Sequence, residues 1–363
     1  MWKRHLANLI GKTTDRHLLA FFVDDYGAII NDSVSAQQHI ARGGFNVERS
    51  RFTRFDALED NDDMDALFGV LTSFRDIRGN HVAWTPLAVA VNPDFGKIRE
   101  SGYSKYYYEL LTETLHRLSG YDQVSQYIEE GIRSNIFVPQ FHGREHLNVK
   151  FLMNSLRNEN KDARVPFDNN SLYTFRGPNG VSSNAAFRFD DEKELEQHAA
   201  ILTDGLERFE EVYGYRAIHF NAPGERESRK LHDALKASGI RYIETDRVKQ
   251  EPLGYGQFAK HFQRNGARNT NGQRYIIRNC VFEPTAPLAG DWIEYTFGQI
   301  DIAFKWRKPA IVSAHRVNFA GHISEENRRA GLRALAALIS KVQRKYPDVE
   351  FVSSRDLFKA MYE

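Results

Sequence analysis

The stretch Leu18-Leu19-Ala20-Phe21-Phe22-Val23-Asp24-Asp25-Tyr26-Gly27 decides the fold class. Its first six residues are all apolar, and two carboxylates follow them directly. A continuous apolar run of this length is typical of a buried strand in a parallel sheet, where polar functional residues follow the carboxyl end. The stretch therefore predicts an α/β protein with its chemistry at the end of the first strand.

The same alternation of strand and helix continues along the 363 residues. Apolar runs predict strands at residues 18–23, 81–91, 136–141, 215–223, 241–245, 275–282, 310–315 and 349–352. Helical spacing of apolar residues predicts helices at 33–43, from about 62, and at 104–119, 122–134, 147–157, 191–213, 225–238, 291–305 and 324–345. About eight strands separated by helices favour a parallel barrel over an open sheet.

Two polar, glycine-containing segments interrupt this alternation. Residues 158–188 and 247–273 are predicted to be long loop insertions in a single domain that spans residues 1–363.

Composition excludes several classes of protein. The net charge is +1, which gives no general attraction to nucleic acid or to anionic membranes. The single cysteine, Cys280, excludes an internal disulfide framework and fits a reducing compartment. No apolar run reaches the roughly 20 residues of a membrane helix, and no secretory signal follows the basic start. We therefore expect a cytoplasmic protein without nucleic-acid or membrane partners, and of undetermined oligomeric state.

A second stretch, Phe141-His142-Gly143-Arg144-Glu145-His146, carries two histidines four positions apart. On a helix such positions lie on one face, so both imidazoles would reach one metal ion. A hydrolytic zinc-type site needs a third protein ligand and an open position for water. Asp24 and Asp25 are both candidates. Because adjacent strand residues point to opposite faces, one is expected to bind the metal while the other accepts a proton.

Two further polar groups follow predicted strands. His315 ends the apolar strand 310–315, where an imidazole can donate a proton near neutral pH. The turn Asn221-Ala222-Pro223-Gly224 ends the strand that begins at 215. In a parallel barrel the carboxyl ends of the strands meet on one face, so these groups are expected to lie close to Asp24 and His142.

Together these motifs resemble those of the polysaccharide deacetylase superfamily, of the chitooligosaccharide deacetylase type. Phe22 to Gly27 resembles the family's Thr-Phe-Asp-Asp-Gly motif, with one extra residue before the glycine. The spacing of His142 and His146 matches its His-Ser/Thr-x-x-His motif. The turn 221–224 loosely resembles Arg-Pro-Pro-x-Gly, and residues 313–315 are similar to a late Leu-x-His.

The resemblance implies a distorted (β/α) barrel of seven or eight parallel strands that holds one divalent metal ion, usually zinc. It implies that Asp25, His142 and His146 are the metal ligands, Asp24 the general base and His315 the general acid. The implied reaction removes an acetyl group, linked through nitrogen or oxygen, from a carbohydrate.

The sequence departs from the family pattern at two positions. Gly143 replaces the usual serine or threonine, and Asn221 stands where the family has an arginine that orients the catalytic aspartate. Arg144, Arg226 or Arg316 would have to supply that charge. The expected sugar contacts are Arg144, Pro223, Arg316 and Asn318, and a supporting role is the alternative for the last two.

Three other functions remain open. His142-x-x-Glu145-His146 also fits the inverted zinc-protease motif, which requires a helix and would make Glu145 the base. A metal-dependent glycoside hydrolase would need a carboxylate pair, such as Asp24 with Glu225 or Asp246. A carbohydrate-binding barrel with relic catalytic groups would explain the missing arginine.

Overall fold

A computed structural model describes residue 5 and residues 8–363 of the chain, without the side chains of Pro178 and Glu225. The remaining N-terminal residues, on which the expectation of no secretory signal partly depends, lie outside the described part. The strands are β1 (Leu18–Tyr26), β2 (Trp84–Ala88), β3 (Val91–Pro93), β4 (Tyr108–Leu110), β5 (Gln140–Phe141), β6 (His219–Phe220), β7 (Tyr242–Glu244), β8 (Val248–Gly254), β9 (Gln257–Phe262), β10 (Arg274–Ile276), β11 (Cys280–Val281), β12 (Ala310–His315) and β13 (Glu350–Phe351).

The α-helices are α1 (Val34–Arg42), α2 (Arg51–Phe55), α3 (Asn61–Thr72), α4 (Phe95–Glu100), α5 (Leu111–Arg117), α6 (Val124–Arg133), α7 (Val149–Arg157), α8 (Lys161–Asp168), α9 (Glu194–Tyr213), α10 (His232–Ala237), α11 (Trp292–Lys305), α12 (Glu325–Lys345) and α13 (Ser354–Tyr362). Short 3₁₀ turns lie at 47–49, 178–180, 223–225, 229–231 and 316–318. None of the described helices is both long and apolar enough to span a membrane.

The main sheet is parallel and has the strand order β10-β7-β6-β5-β2-β1-β12-β11, with β13 added beside β1. Its two edge strands, β10 and β11, are joined by residues 277–279 alone. A three-residue link requires both edges to lie close together, so the sheet must curl through most of a circle. The predicted distorted barrel of seven or eight parallel strands is confirmed, and it stays open between β10 and β11.

Strand β1 lies in the interior of this sheet, and all nine of its residues are buried. It pairs in parallel with β2 on one side and β12 on the other. The pairing with β12 sets Asp24 directly beside His315. Two residues far apart in the sequence thus reach the same end of the barrel, as strand-end placement predicts.

Helix boundaries follow local capping. The Asp60 side chain accepts from the Asp63 amide and the Asp63 side chain accepts from the Asp60 amide, which closes a capping box on α3. The Ser324 side chain accepts from the Asn327 amide and begins α12, as the sequence predicts.

The predicted loop insertions are wrong in their local structure. Segment 158–188 contains helix α8, and segment 247–273 contains the antiparallel hairpin of β8 and β9. Both have weak signals: α8 carries an internal Pro166, and polar residues are interspersed among the apolar ones in both hairpin strands. The single strand predicted at 275–282 is also two strands, β10 and β11, with a break at 277–279.

Candidate active site

A β-bulge directs both adjacent aspartates into one cavity. The register between β1 and β2 shifts between Val23 and Tyr26, and Asp25 has a φ of 78°. This left-handed conformation is rare for a non-glycine residue, and such strain is concentrated at functional sites. The left-handed backbone at Asp25 interrupts the alternation of side chains between the two faces of β1. Asp24 and Asp25 therefore both line the cavity at the carboxyl end of the sheet.

The two histidines lie on a turn between β5 and α7, and residues 142–148 are not helical. Gly143 makes this turn possible, because its φ is 95°. A Cβ atom there would lie 3.1 Å from Pro223 Cγ and 3.2 Å from the Glu145 carbonyl oxygen. The glycine that departs from the family motif is therefore required by this backbone.

Asp25, His142 and His146 converge on one point. Asp25 Oδ1 lies 3.1 Å from His146 Nε2 and 3.6 Å from His142 Nε2. Ligands bound tetrahedrally to zinc at ordinary bond lengths lie about 3.4 Å apart. The separations fit one ion held by a two-histidine, one-carboxylate set.

The protonation of His142 suits a metal ligand. His142 Nδ1 lies 2.9 Å from the Asn221 carbonyl oxygen, which can only accept, so Nδ1 carries the proton. In the neutral ring the lone pair is then on Nε2, which faces Asp25. Burial alone would raise the pKa of Asp25. The two neighbouring histidines and the charge of His315 nevertheless hold that pKa well below its usual range.

An arginine that the sequence did not single out holds Asp24. Arg278, in the link between β10 and β11, donates from Nη1 to both carboxylate oxygens of Asp24 at 3.0 and 2.8 Å. Its Nε pairs with Glu244, which also accepts from the Asn221 side chain at 2.8 Å. Position 221, where the resemblance leads one to expect an arginine, thus holds Asn221, and Arg278 contacts Asp24 from the link between β10 and β11.

His315 is paired with a carboxylate. Its Nδ1 lies 2.6 Å from Glu283 Oε1, and its Nε2 lies 3.7 Å from Asp24 Oδ2. Burial opposes protonation, but the hydrogen bond and charge of Glu283, with the charges of Asp25 and Asp24, raise the pKa of His315 to about 9. His315 is therefore protonated at neutral pH, with Nδ1 directed at Glu283.

The cavity has a volume of about 800 Å³ and opens above the three metal-ligand candidates. Segment 158–188 forms one wall, through residues 171–176, 183 and 184. Besides the charged groups, the lining contains aromatic rings and side-chain amides. These belong to Phe52, Asn92, Tyr173, Phe175 and Asn184. Such a combination suits a sugar, since the ring faces of a sugar are apolar and its hydroxyl groups need hydrogen bonds.

The four predicted sugar contacts do not line the cavity. Arg144 pairs with Glu145 and Asp204, at 2.9 and 2.8 Å. Pro223 packs against Gly143. Arg316 is 1% exposed in its side chain and pairs with Asp56 and Glu59.

Asn318 and Arg316 contact residues that hold the site in place. The Asn318 side chain donates to Glu283 Oε2 at 2.7 Å and thereby helps to hold the partner of His315. Glu59, which pairs with Arg316, also accepts from the Gly27 amide at 3.0 Å, just after the bulge at Asp25. These two residues therefore fit the supporting role that the sequence left as the alternative.

Two site residues were missed from the sequence. Glu283 directly follows the predicted strand 275–282, so the strand-end rule that found Asp24 and His315 also points to it. Arg278 had no comparable signal, because it lies within the predicted strand 275–282. Only the break between β10 and β11 turns its side chain toward Asp24.

Comparison with known proteins finds similarity at the level of structure alone. No protein-family model matches the sequence. No curated protein matches it either. The matching structures include a Mycobacterium smegmatis protein assigned to the polysaccharide deacetylases, with 15% identity over 97% of this chain and 91% of that chain and a TM-score of 0.47.

Two other structural matches carry different descriptions. Puue allantoinase shares 12% identity over 96% of this chain and 92% of its own, with a TM-score of 0.47. A CE4 family pseudoenzyme from Bacillus anthracis shares 8% over 94% of this chain and 65% of its own, with a TM-score of 0.38. At these values the similarity does not identify an activity.

Proposed function

We propose that this protein is a metal-dependent hydrolase that removes an acetyl group from a carbohydrate. Asp25, His142 and His146 would hold one divalent ion, with zinc as the expected metal. The main support for the proposal is that one ligand atom from each of these three residues converges on one point. Asp24 and His315, two groups that can transfer a proton, lie beside that point.

When bound, the ion would supply Lewis-acid chemistry, polarising the acetyl carbonyl and making a water molecule more acidic. Asp24 would accept the proton of the attacking water, because Asp25 faces the histidine pair and Glu145, the remaining carboxylate of the cavity lining, is paired with Arg144. Arg278 donates hydrogen bonds to both carboxylate oxygens of Asp24 and so fixes the orientation of the carboxylate that accepts the proton.

His315 would donate a proton to the departing amine or alcohol. Its Nδ1 is held by Glu283, which leaves Nε2 on the cavity side to deliver the proton. Because Glu283 keeps this imidazole protonated at neutral pH, the acid is charged before the substrate arrives.

The competing functions fit the site less well. A protease of the inverted zinc type would use Glu145, but its carboxylate accepts from Arg144 Nε at 2.9 Å and from the Tyr106 hydroxyl at 3.0 Å, and the motif is not helical. For a glycoside hydrolase, Asp246 lines a separate cavity of about 130 Å³, and the Glu225 side chain is not described. The relic-barrel hypothesis rested on a missing arginine, and Arg278 makes that contact.

The test is product analysis with the zinc-loaded protein on N-acetylated chitooligosaccharides and O-acetylated xylan, measuring free acetate and new reducing ends separately. We expect acetate without new reducing ends. Asp24→Asn and His315→Gln should each lower the rate of acetate release by roughly 100-fold or more.

A matched control is His322→Gln, since His322 also pairs with a carboxylate, Asp60, at 3.2 Å but does not line the cavity. It should keep the normal rate. New reducing ends without acetate would instead identify a glycoside hydrolase, and saccharide binding without any turnover would identify a binding protein.

A further inference from the structure

One part of the catalytic cavity is lined by aliphatic side chains. The cavity volume of about 800 Å³ is within the range of pockets for drug-sized molecules, which is more room than one acetyl group needs. Five aliphatic residues of the lining are each at most 9% exposed and belong to the main hydrophobic core. We call them the apolar wall: Ile29, Leu147, Leu152, Ala163 and Leu172.

The polar side chains next to the apolar wall already have partners within the chain. The Ser171 hydroxyl accepts from one backbone amide and donates to one backbone carbonyl, both at 3.1 Å. The Asn92 side chain accepts from one backbone amide at 3.0 Å and donates to one backbone carbonyl at 2.8 Å. The Tyr173 hydroxyl donates to Asn31 Oδ1 at 2.7 Å. A ligand group in this part of the cavity is therefore stabilised mainly by apolar contact.

The apolar wall begins at the metal-ligand candidates. Ile29 lies four residues after Asp25, and Leu147 directly follows His146. All four residues line the same cavity. The wall is therefore continuous with the point on which the three ligand atoms converge.

Helices α7 and α8 supply the next part of the wall. Leu152 lies on α7 and Ala163 on α8, and the two helices pack against each other. Leu172 follows α8, and its amide donates to the Ile30 carbonyl oxygen at 2.8 Å, which brings it beside residue 29. Segment 158–188 thus contributes two of the five wall residues.

The general-acid candidate lies on the other side of β1 from the start of this wall. In the sheet order β5-β2-β1-β12, the turn with His142 and His146 follows β5, whereas His315 ends β12. The sugar departs with the proton of His315, so it occupies the β12 side, where the Phe52 ring lies edge-on to His315 with 5.4 Å between ring centres. The acyl group of the same substrate then points to the β5 side, where the apolar wall begins.

We propose that the apolar wall binds an acyl chain longer than acetyl, so that the preferred substrate is a sugar carrying a medium-chain acyl group. This inference rests on the proposed function, because it names the acyl group that the same site removes. The water oxygen bonds to the acyl carbon while the bond from that carbon to the sugar nitrogen or oxygen breaks. Asp24 takes the proton of the water and His315 gives one to the departing sugar, so the products are a fatty acid and a free sugar.

The first test is equilibrium binding to the zinc-loaded chain. Hexyl and methyl β-D-glucopyranoside share one sugar and have no acyl bond, so neither is consumed, and the alkyl group stands in for the acyl chain. Isothermal titration would compare them. Because each fully buried methylene tightens binding by about fourfold, we expect the hexyl glucoside to bind at least about tenfold more tightly than the methyl glucoside.

The second test is hydrolysis by the same zinc-loaded protein. Acetyl, butanoyl and hexanoyl derivatives of glucosamine, linked through nitrogen, and of glucose, linked through the 6-hydroxyl, would be compared by the carboxylic acid that each releases. In whichever linkage is cleaved, we expect kcat/KM to rise at least about tenfold from acetyl to hexanoyl, since the added methylenes are buried in the transition state.

The variant Ala163→Leu places a larger aliphatic side chain in the proposed pocket. It should lower the preference for the hexyl over the methyl glucoside by about tenfold. Ala199→Leu is the matched control, because Ala199 is also a helical alanine packed against the main core but does not line the cavity. Circular dichroism would confirm that both variants are folded, and the chain-length comparisons on the unaltered protein need neither variant.

Equal binding of the two glucosides, a hexyl preference that persists in Ala163→Leu, or a kcat/KM that does not rise with chain length would overturn the pocket. The two proposals fail in different ways. Release of acetate without any gain for longer chains would keep the proposed hydrolase and refute the pocket. A hexyl preference that Ala163→Leu removes, in a protein that releases no carboxylic acid, would keep the pocket and refute the hydrolase.

Discussion

At the scale of single residues, the arginine that holds Asp24 is one that the sequence motifs did not indicate. The sequence motif leads one to seek the arginine for Asp24 at position 221, and Arg144, Arg226 and Arg316 were the candidates in its place. The structure instead brings Arg278 to Asp24. Motif spacing finds residues that follow one another along a strand, whereas a side chain arriving from another strand leaves no local pattern.

Arg278→Gln should lower kcat for acetate release by roughly 10- to 100-fold with little change in KM. The reason is the loss of charge-assisted hydrogen bonds that orient the base, each contributing about 1.5–3 kcal/mol. Arg278→Lys should keep part of the rate. Arg16→Gln is the control, because Arg16 pairs with Glu350 at 2.6 Å near the opposite end of β1. A normal kcat in Arg278→Gln would remove Asp24 from its assigned role.

Glu283→Gln should move the alkaline limb of the kcat/KM profile to lower pH. Glu283 raises the pKa of His315, so removing its charge lets His315 lose its proton at a lower pH, by about one to two pH units. The profile would be measured on zinc-loaded protein. Glu350→Gln, which alters a carboxylate paired with Arg16, should leave the limb in place. An unmoved limb in Glu283→Gln would mean that His315 is not the titrating acid.

At the scale of elements, the two ligand-bearing segments depend on irregular backbone. The bulge at the end of β1 sends Asp24 and Asp25 into one cavity, and the turn after β5 brings His142 and His146 together without a helix. Hydrophobic patterning predicts where β1 and β5 run, but it carries no signal for a register shift. The pairing of ligands was therefore predictable from the motifs, while its geometric cause was not.

Gly143→Ala should weaken zinc binding by about tenfold, because the new Cβ would press on Pro223 and displace the turn that carries His142. Zinc affinity would be measured by competition with a chromophoric chelator. The control is Gly120→Ala, which has a φ of 87° and no atom within 4 Å of the added Cβ. Both variants should lose about 1–2 kcal/mol of stability from the left-handed backbone. Equal zinc affinities would show that the turn adapts.

The regular elements were the most predictable. Helix α12 begins after its expected cap, Ser324, and β12 covers the predicted residues 310–315. The hairpin of β8 and β9 was missed because its strands carry charged and partly exposed residues rather than alternating apolar ones. The break between β10 and β11 was missed because both strands and their link form one nearly apolar run.

At the scale of the whole molecule, the curled sheet assembles the site from distant parts of the chain. Asp24 comes from the first strand, Arg278 from the link between the edge strands, and His315 from a late strand. Strand-end placement predicted that such residues would meet, because parallel strands end on one face of a barrel. The sheet order, which fixes which residues are neighbours, required the structure.

Zinc should stabilise the folded protein, since ligands spread over the sequence converge only in the fold. At a free zinc concentration 100 times the Kd, the gain is about 2.7 kcal/mol, which raises the midpoint of thermal unfolding by several degrees. Differential scanning fluorimetry with zinc-buffered and EDTA-treated protein measures this shift. Asp25→Ala should show no zinc-dependent shift. A shift of the same size in that variant would place the bound zinc elsewhere.

The most direct test of the metal centre is the metal content of the purified protein. Elemental analysis would compare the unaltered chain with the Asp25→Ala, His142→Ala double variant, with circular dichroism to confirm that both are folded. We expect about one divalent ion per unaltered chain and almost none in the folded variant. Equal metal content in the two proteins, or an unaltered chain that binds no added zinc, would contradict a metal centre at Asp25, His142 and His146.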